Sequence, residues 1–168
     1  FKIYYQPKIS LGTGLITGAE ALLRWTIPVL GPVSTGRFIP VAEDCGVIMS
    51  IGNWVLREAC KQSRAWIAAG LPVITMAVNI SALEFRYDKF FDGIVEILEE
   101  TGLPSTLLEL ELTESVLMKN AGSTATILKA LKERGVQLAV DDFGTGYSSL
   151  SYLRKFPIDA LKIDQSFV

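Results

Sequence analysis

Between residues 73 and 163 the chain alternates short apolar runs with helical periodicities, and this alternation restricts the fold more than any other feature. Residues 73–80, 107–113, 136–140 and 158–163 read as strands. Between them Phe91, Ile94, Val95 and Leu98 recur at helical spacing before Gly102 and Pro104. Ile127, Leu128 and Leu131 do the same before Gly135, and a short helix around Leu150 and Leu153 stops at Pro157. Strands separated in this way by helices pair in parallel. An open doubly wound sheet and a closed barrel both satisfy the pattern.

The N-terminal part is built differently. Residues 1–10 and 15–25 read as two strands joined by the turn Gly12-Thr13-Gly14, a hairpin. Residues 27–40 carry prolines at 28, 32 and 40 and glycines at 31 and 36, so they are expected to be irregular. Residues 39–46 read as one short helical turn. A strong helix follows, in which Ile48, Ile51, Val55, Leu56, Ala59, Cys60, Ser63 and Ile67 share a face and Gly70 and Pro72 end it. No linker divides the 168 residues, so a single α/β domain is expected.

The polar residues choose between the two architectures. Near the C-terminal ends of successive strands stand Glu20, Asn79, Glu111, the pair Asp141-Asp142, and Lys162 with Asp164. In a barrel these ends converge on one mouth, whereas in an open sheet they lie along a line. One polar residue per strand end is better explained by the barrel.

Glu20, Asn79, Glu111, Asp141 and Asp142 offer only oxygen donors, the choice of hard ions such as Mg2+ and Mn2+. Carboxylates gathered this closely cannot all stay ionised without cations. Two ions about 4 Å apart, sharing Asp141, would balance them and suit phosphodiester hydrolysis. Lys162 would then be a point charge near the phosphate or the attacking water. Taken singly, each residue has an ordinary reading. One Asp is a helix N-cap and the other a surface salt bridge, Asn79 a strand-end hydrogen-bonding group, Lys162 a surface lysine. Glu109 is expected to be a solvated strand-edge acid.

The chain contains no histidine, which excludes a Ser-His-Asp triad, a histidine general base and a histidine-ligated zinc. Sixteen basic and eighteen acidic side chains leave a net charge of −2, so no footprint for duplex nucleic acid exists. Cys45 and Cys60 lack metal-type spacing and are expected to be reduced core thiols. No apolar run reaches transmembrane length.

Several ordered segments are similar to those of one family. They are Tyr5-Gln6-Pro7, Glu20-Ala21-Leu22-Leu23-Arg24-Trp25, Phe38-Ile39-Pro40-Val41-Ala42-Glu43, Val78-Asn79-Ile80-Ser81 and Glu111-Leu112-Thr113-Glu114-Ser115. To these add Asp141-Asp142-Phe143-Gly144-Thr145-Gly146-Tyr147-Ser148-Ser149 and Lys162-Ile163-Asp164. The chain resembles the EAL domains, bacterial phosphodiesterases that open cyclic di-GMP to linear pGpG. The resemblance implies a TIM-type (β/α)8 barrel whose first strand is antiparallel, with about six of the eight strands in this sequence. It implies that Glu20, Asn79, Glu111, Asp141 and Asp142 bind Mg2+ or Mn2+, two ions in all. Lys162, Asp142 and Glu20 would be the catalytic set, with Lys162 assisting the hydrolytic water. Arg24 would contact phosphate, Leu23 and Gln6 would lie near the nucleotide, and Glu114 would anchor the loop 143–149 rather than bind metal. The implied setting is cytoplasmic, in a parent that can be membrane-attached and is fused to sensor or GGDEF domains. A homodimer is expected, because open strand edges beside Phe1 and Ile163 invite pairing.

The family's later glutamate and glutamine motifs have no counterpart here, so the chain is expected to be a piece of a longer one. Asp142-Phe143-Gly144 is similar to the kinase metal triplet, but the catalytic His-Arg-Asp is missing. Gly144-Thr145-Gly146 approaches a dinucleotide fingerprint but lacks its third glycine. The serious alternative is a receptor that holds cyclic di-GMP without cutting it. A scaffold that binds no nucleotide is a third reading.

Overall fold

The structure is a computed structural model and describes residues 1–29, 31–118, 121–144 and 153–167. β1 (Lys2–Ile9) and β2 (Ile16–Ile27) form the expected antiparallel hairpin, with Lys8 opposite Gly18 and Gln6 opposite Glu20. β3 (Gly31–Val33) adds to the far end of β2. Then come α1 (Thr35–Asp44), α2 (Ile48–Ala68), β4 (Thr75–Ile80), α3 (Ala82–Phe85) and α4 (Phe90–Thr101). β5 (Leu108–Thr113), α5 (Glu114–Met118), α6 (Ala121–Glu133), β6 (Gln137–Phe143) and β7 (Ala160–Ile163) complete the order. The strands lie β1-β2-β4-β5-β6-β7, parallel from β2 onward, and the sheet curls into a half-barrel.

The period of two along each strand sorts side chains between the two faces of this curled sheet. Leu108, Leu110 and Leu112 of β5 are wholly buried in one core with Met76 and Val78 of β4, Leu138 and Val140 of β6, and Leu128 and Leu131 of α6. Burying each such leucine contributes about 1.5–3 kcal/mol. Glu109, Glu111 and Thr113 point the opposite way, into the hollow of the sheet. Alternation in β5 therefore does not separate a dry face from a wet one. Glu109 is only 8% exposed and Glu111 only 1%, which corrects the expectation that Glu109 is a solvated edge acid. The curl folds its face inward, where lysines pair with it.

The segment expected to be irregular is ordered for a tertiary reason. α1 keeps Pro40 in its interior, where proline removes a helical hydrogen bond and crowds the preceding turn. Phe38 offsets this. Its ring meets Trp25 at a centroid distance of 5.7 Å and Phe1 at 5.8 Å, and Phe1 and Trp25 stack at 5.4 Å. Such aromatic pairs add to the gain from burial alone. α3, also unforeseen, opens with a capping box between Ser81 and Glu84. α4 ends as the sequence suggests. Gly102 takes φ +65°, and its N–H reaches the Leu98 carbonyl at 2.9 Å. Cys60 is buried, but Cys45 is exposed, because it follows the last turn of α1 instead of lying on its inner face. Leu150, half of the short helix expected around Leu150 and Leu153, lies outside the described residues.

Phe38→Ala should cost about 3–5 kcal/mol of stability, the usual loss for a buried aromatic. Urea unfolding followed by tryptophan fluorescence measures it. A loss below about 1 kcal/mol would show that the aromatic trio does not hold α1 in place.

Candidate metal centre

The parallel strands present their C-terminal ends together, and the polar inner face gathers there. Carboxylate oxygens of Glu20 from β2, Glu111 from β5 and Asp141 from β6 all lie within 4.8 Å of one another. Among the described residues this is the group of acids spaced to share a cation. Lys162 of β7 sits among them. Its Nζ donates to Glu111 Oε2 at 2.6 Å, to Asp141 Oδ2 at 3.0 Å and to Glu20 Oε2 at 3.2 Å. Asn79 of β4 donates through Nδ2 to Glu20 Oε1 at 2.8 Å.

Local backbone geometry sets the Asp141-Asp142 pair. Val140 pairs with Leu161 and Phe143 with Ile163, so two residues of β6 stand opposite Lys162 alone. This is a β-bulge, and Asp142 takes up its turn at φ +53°. Aspartate is among the few side chains that tolerate this region. The Asp142 N–H donates to Asp141 Oδ1 at 2.9 Å, which helps fix the carboxylate that faces the cluster. Asp142 itself is exposed at the rim.

Glu114, buried at the start of α5, accepts from the Gly144 N–H through Oε2 at 3.4 Å. The rest of the loop it was expected to anchor, residues 145–149, lies outside the described residues. Leu23 and Arg24 line a groove of about 410 Å³ beside the cluster, together with Asn79, Ser81, Glu84 and Thr113. Arg24 is exposed, and its Nη1 donates to the Leu23 carbonyl at 2.8 Å. Gln6 is an exposed residue of β1, and its partner across the hairpin is Glu20. Cross-strand partners share a face, so Gln6 belongs to the same rim.

Charge and burial work against each other throughout the cluster. Burial pulls against the Lys162 ammonium, but Glu111, Asp141 and Glu20 outweigh it and push its pKa up. Burial also acts to raise Glu20, yet the Asn79 hydrogen bond and Lys162 outweigh it and leave the carboxyl below its ordinary value. At Glu111 burial prevails over Lys162 and Lys8 and raises it. Asp142 is raised by desolvation and then by Asp141 and Asp164. A hollow that crowds acids from three strands around one ammonium has the donor set and charge of a divalent-cation site.

One participant was not foreseen. Lys8 of β1 reaches into the hollow and pairs with Glu109 and Glu111. The signal was present, since period two puts Lys8 on the face of Gln6, and Glu109 on the face of Glu111.

The groove wall contains a buried acid, Glu84. Its Oε2 accepts from the Ser81 N–H at 3.0 Å, and its own N–H donates to Ser81 Oγ at 3.2 Å. A Cβ at Gly52 of α2 would come within 1.5 Å of its Oε1, so any larger residue there would displace the Glu84 carboxyl. Burial, followed by the weaker effect of Glu43, pushes Glu84 above the ordinary carboxylate range. The fold therefore favours the protonated form, and ionisation costs stability as pH rises through the raised value. Glutamine retains the capping geometry. Glu84→Gln should raise the thermal midpoint at pH 8 and leave it unchanged at pH 4. Equal midpoints at both pH values would mean that burial does not tax this carboxyl.

Comparison with known proteins places this geometry. A family model described as the EAL domain matches residues 1–168. The bifunctional diguanylate cyclase/cyclic di-GMP phosphodiesterase MucR of Pseudomonas aeruginosa is 45% identical over 166 residues, 99% of this chain and 24% of that protein. The cyclic di-GMP phosphodiesterase NbdA of the same organism is 44% identical over 167 residues, 99% of this chain and 21% of that protein. A solved structure of PaMucR phosphodiesterase in complex with c-di-GMP superposes with a TM-score of 0.94 at 44% identity, covering 99% of this chain and 67% of that one. The chain thus spans about a quarter or less of these curated relatives.

Proposed function

The chain belongs to the EAL domain family, and from that premise we propose that it carries the cation-binding part of a cyclic di-GMP phosphodiesterase. The observation behind this reading is the Lys162 ammonium, held within 3.2 Å of carboxylates from three separate strands. Resemblance to relatives named as cyclic di-GMP phosphodiesterases supplies the substrate. The reaction adds water across one phosphodiester of cyclic di-GMP. The P–O bond to one ribose breaks, the ribose oxygen takes a proton, and linear pGpG leaves.

Glu20, Asn79, Glu111, Asp141 and Asp142 would hold Mg2+ or Mn2+, two ions in all. Bound there, such ions acidify water and stabilise charge on phosphate oxygens. The chain's own groups do the remaining work. Lys162 offsets part of the charge of the three carboxylates, and its ammonium would serve the attacking water or the phosphate. Asp142 and Glu20 complete the catalytic set around it. Arg24 contacts phosphate from the groove rim, a role suited to a planar, permanently charged guanidinium. Leu23 and Gln6 border the nucleotide. Glu114 steadies the start of the loop after β6 through the Gly144 N–H.

Among the described residues no helix is long and apolar enough to cross a membrane. We place the domain in the cytoplasm, where the nucleotide is met, in a parent with sensor or GGDEF domains. Among the described residues β1 and β7 are the outer strands of the sheet, and a homodimer is part of the proposal.

The test is incubation with cyclic di-GMP and Mn2+ or Mg2+, followed by chromatography for pGpG. Product should form, and Asp141→Asn should abolish it and weaken Mn2+ binding. Uncut cyclic di-GMP with measurable binding would favour the receptor reading, and a flat calorimetric trace the scaffold. Ca2+ should inhibit, because it tolerates looser geometry than Mg2+ and holds reacting atoms less well. Equal rates in Ca2+ and Mg2+ would contradict the two-ion reading.

A further inference from the structure

Lys8 has no role in the proposed chemistry, yet it contacts one of its residues, Glu111. It lies on β1, and the acids it meets lie on β5, with β2 and β4 between them in the sheet. Its Nζ pairs with Glu109 Oε1 at 2.5 Å and with Glu111 Oε1 at 2.7 Å. Two small residues clear its path. Gly18 stands opposite it on β2, where an added Cβ would lie 3.4 Å from Lys8 Cδ and 2.6 Å from Thr75 Oγ1. Ala77 stands between Glu20 and Glu109 on β4. A Cβ at Gly18 would clash with Thr75 and already touch the Lys8 stem.

The consequence for Glu111 is specific. Its side chain is fully buried, and each of its oxygens has its own lysine. Oε1 accepts from Lys8 below, and Oε2 accepts from Lys162 at 2.6 Å on the side of Glu20 and Asp141. A carboxylate held by one oxygen has its plane set, and the other oxygen is then aimed. Glu109 keeps Lys8 in place and balances its charge, so the Lys8–Glu109 pair adds no net charge to the site. Burial works to weaken the Lys8 ammonium, but both acids overcome this and raise its pKa.

We infer that Lys8, held by Glu109, is a positioning residue that fixes Oε1 of Glu111 and thereby aims Oε2 at the bound cation. This deepens the cation-binding reading of the site and rests on it. Partners of this kind behind a ligand are worth about 10–100-fold in metal affinity.

Mn2+ binding to the whole chain, read from the loss of the free-ion electron paramagnetic resonance signal, tests it. Lys8→Met alone would mix two effects, since losing a positive charge by itself tightens a cation. The decisive variant is Lys8→Met with Glu109→Gln, which leaves net charge unchanged. Its Mn2+ affinity should fall about tenfold, while Lys8→Arg, which keeps a charged donor, should restore most of it. Affinity within twofold of the unsubstituted chain in the double variant would overturn the inference. Should thermal unfolding show that variant to be unfolded, Lys8→Gln with Glu109→Gln gives the same reading with the same net charge and with polar groups retained. Absence of Mn2+ binding in the unsubstituted chain is a different result. It would refute the cation reading itself before any variant is made.

Discussion

Negative charge gathered inside a curled sheet is the constraint on which the rest depends. Glu20, Glu111 and Asp141 come from three strands and meet within 4.8 Å. At such separations two like charges repel by about 4 kcal/mol under a dielectric typical of protein surroundings. The chain meets that cost from within. Lys162 contacts all three acids, and Lys8 contacts Glu109 and Glu111 from the other side. Removing a partner from a buried ionic group is far more damaging than never having the pair. The two lysines therefore belong to the fold itself.

The same curl explains how one strand serves two purposes. β5 turns three leucines to the helices and two glutamates to the hollow, and both sets are buried. Helices α4 and α6 cover the leucine side, so the strand is fixed by ordinary apolar packing. The glutamates are then carried into place by a backbone that does not depend on them. The bulge at Asp141-Asp142 falls within the last residues of β6, and the capping box at Ser81 and Glu84 falls directly after β4, where the groove opens. Bulges are a common means of re-aiming side chains beside active sites.

Membership of the EAL family agrees with this division of labour. The chain superposes over nearly its whole length on a phosphodiesterase solved with c-di-GMP, and its own first strand is antiparallel. That strand supplies the reach of Lys8. A parallel β1 would present its side chains in the opposite direction along the barrel.

Much of this was legible in the chain of letters. Period two assigned residues to faces, helical spacing placed α2, α4 and α6, and polar residues at successive strand ends pointed to one mouth. These are local properties, and local sterics and burial enforce them whatever the surroundings. Three matters were decided only in the tertiary structure. α1 forms around Pro40 because Phe38 finds Trp25 and Phe1. Glu109 is buried because the sheet curls and brings a lysine from three strands away. Glu111 has a lysine for each oxygen because that same curl sets the distance across the hollow. Periodicity reports which face a side chain occupies but carries no information about curvature, and curvature determines which charges meet.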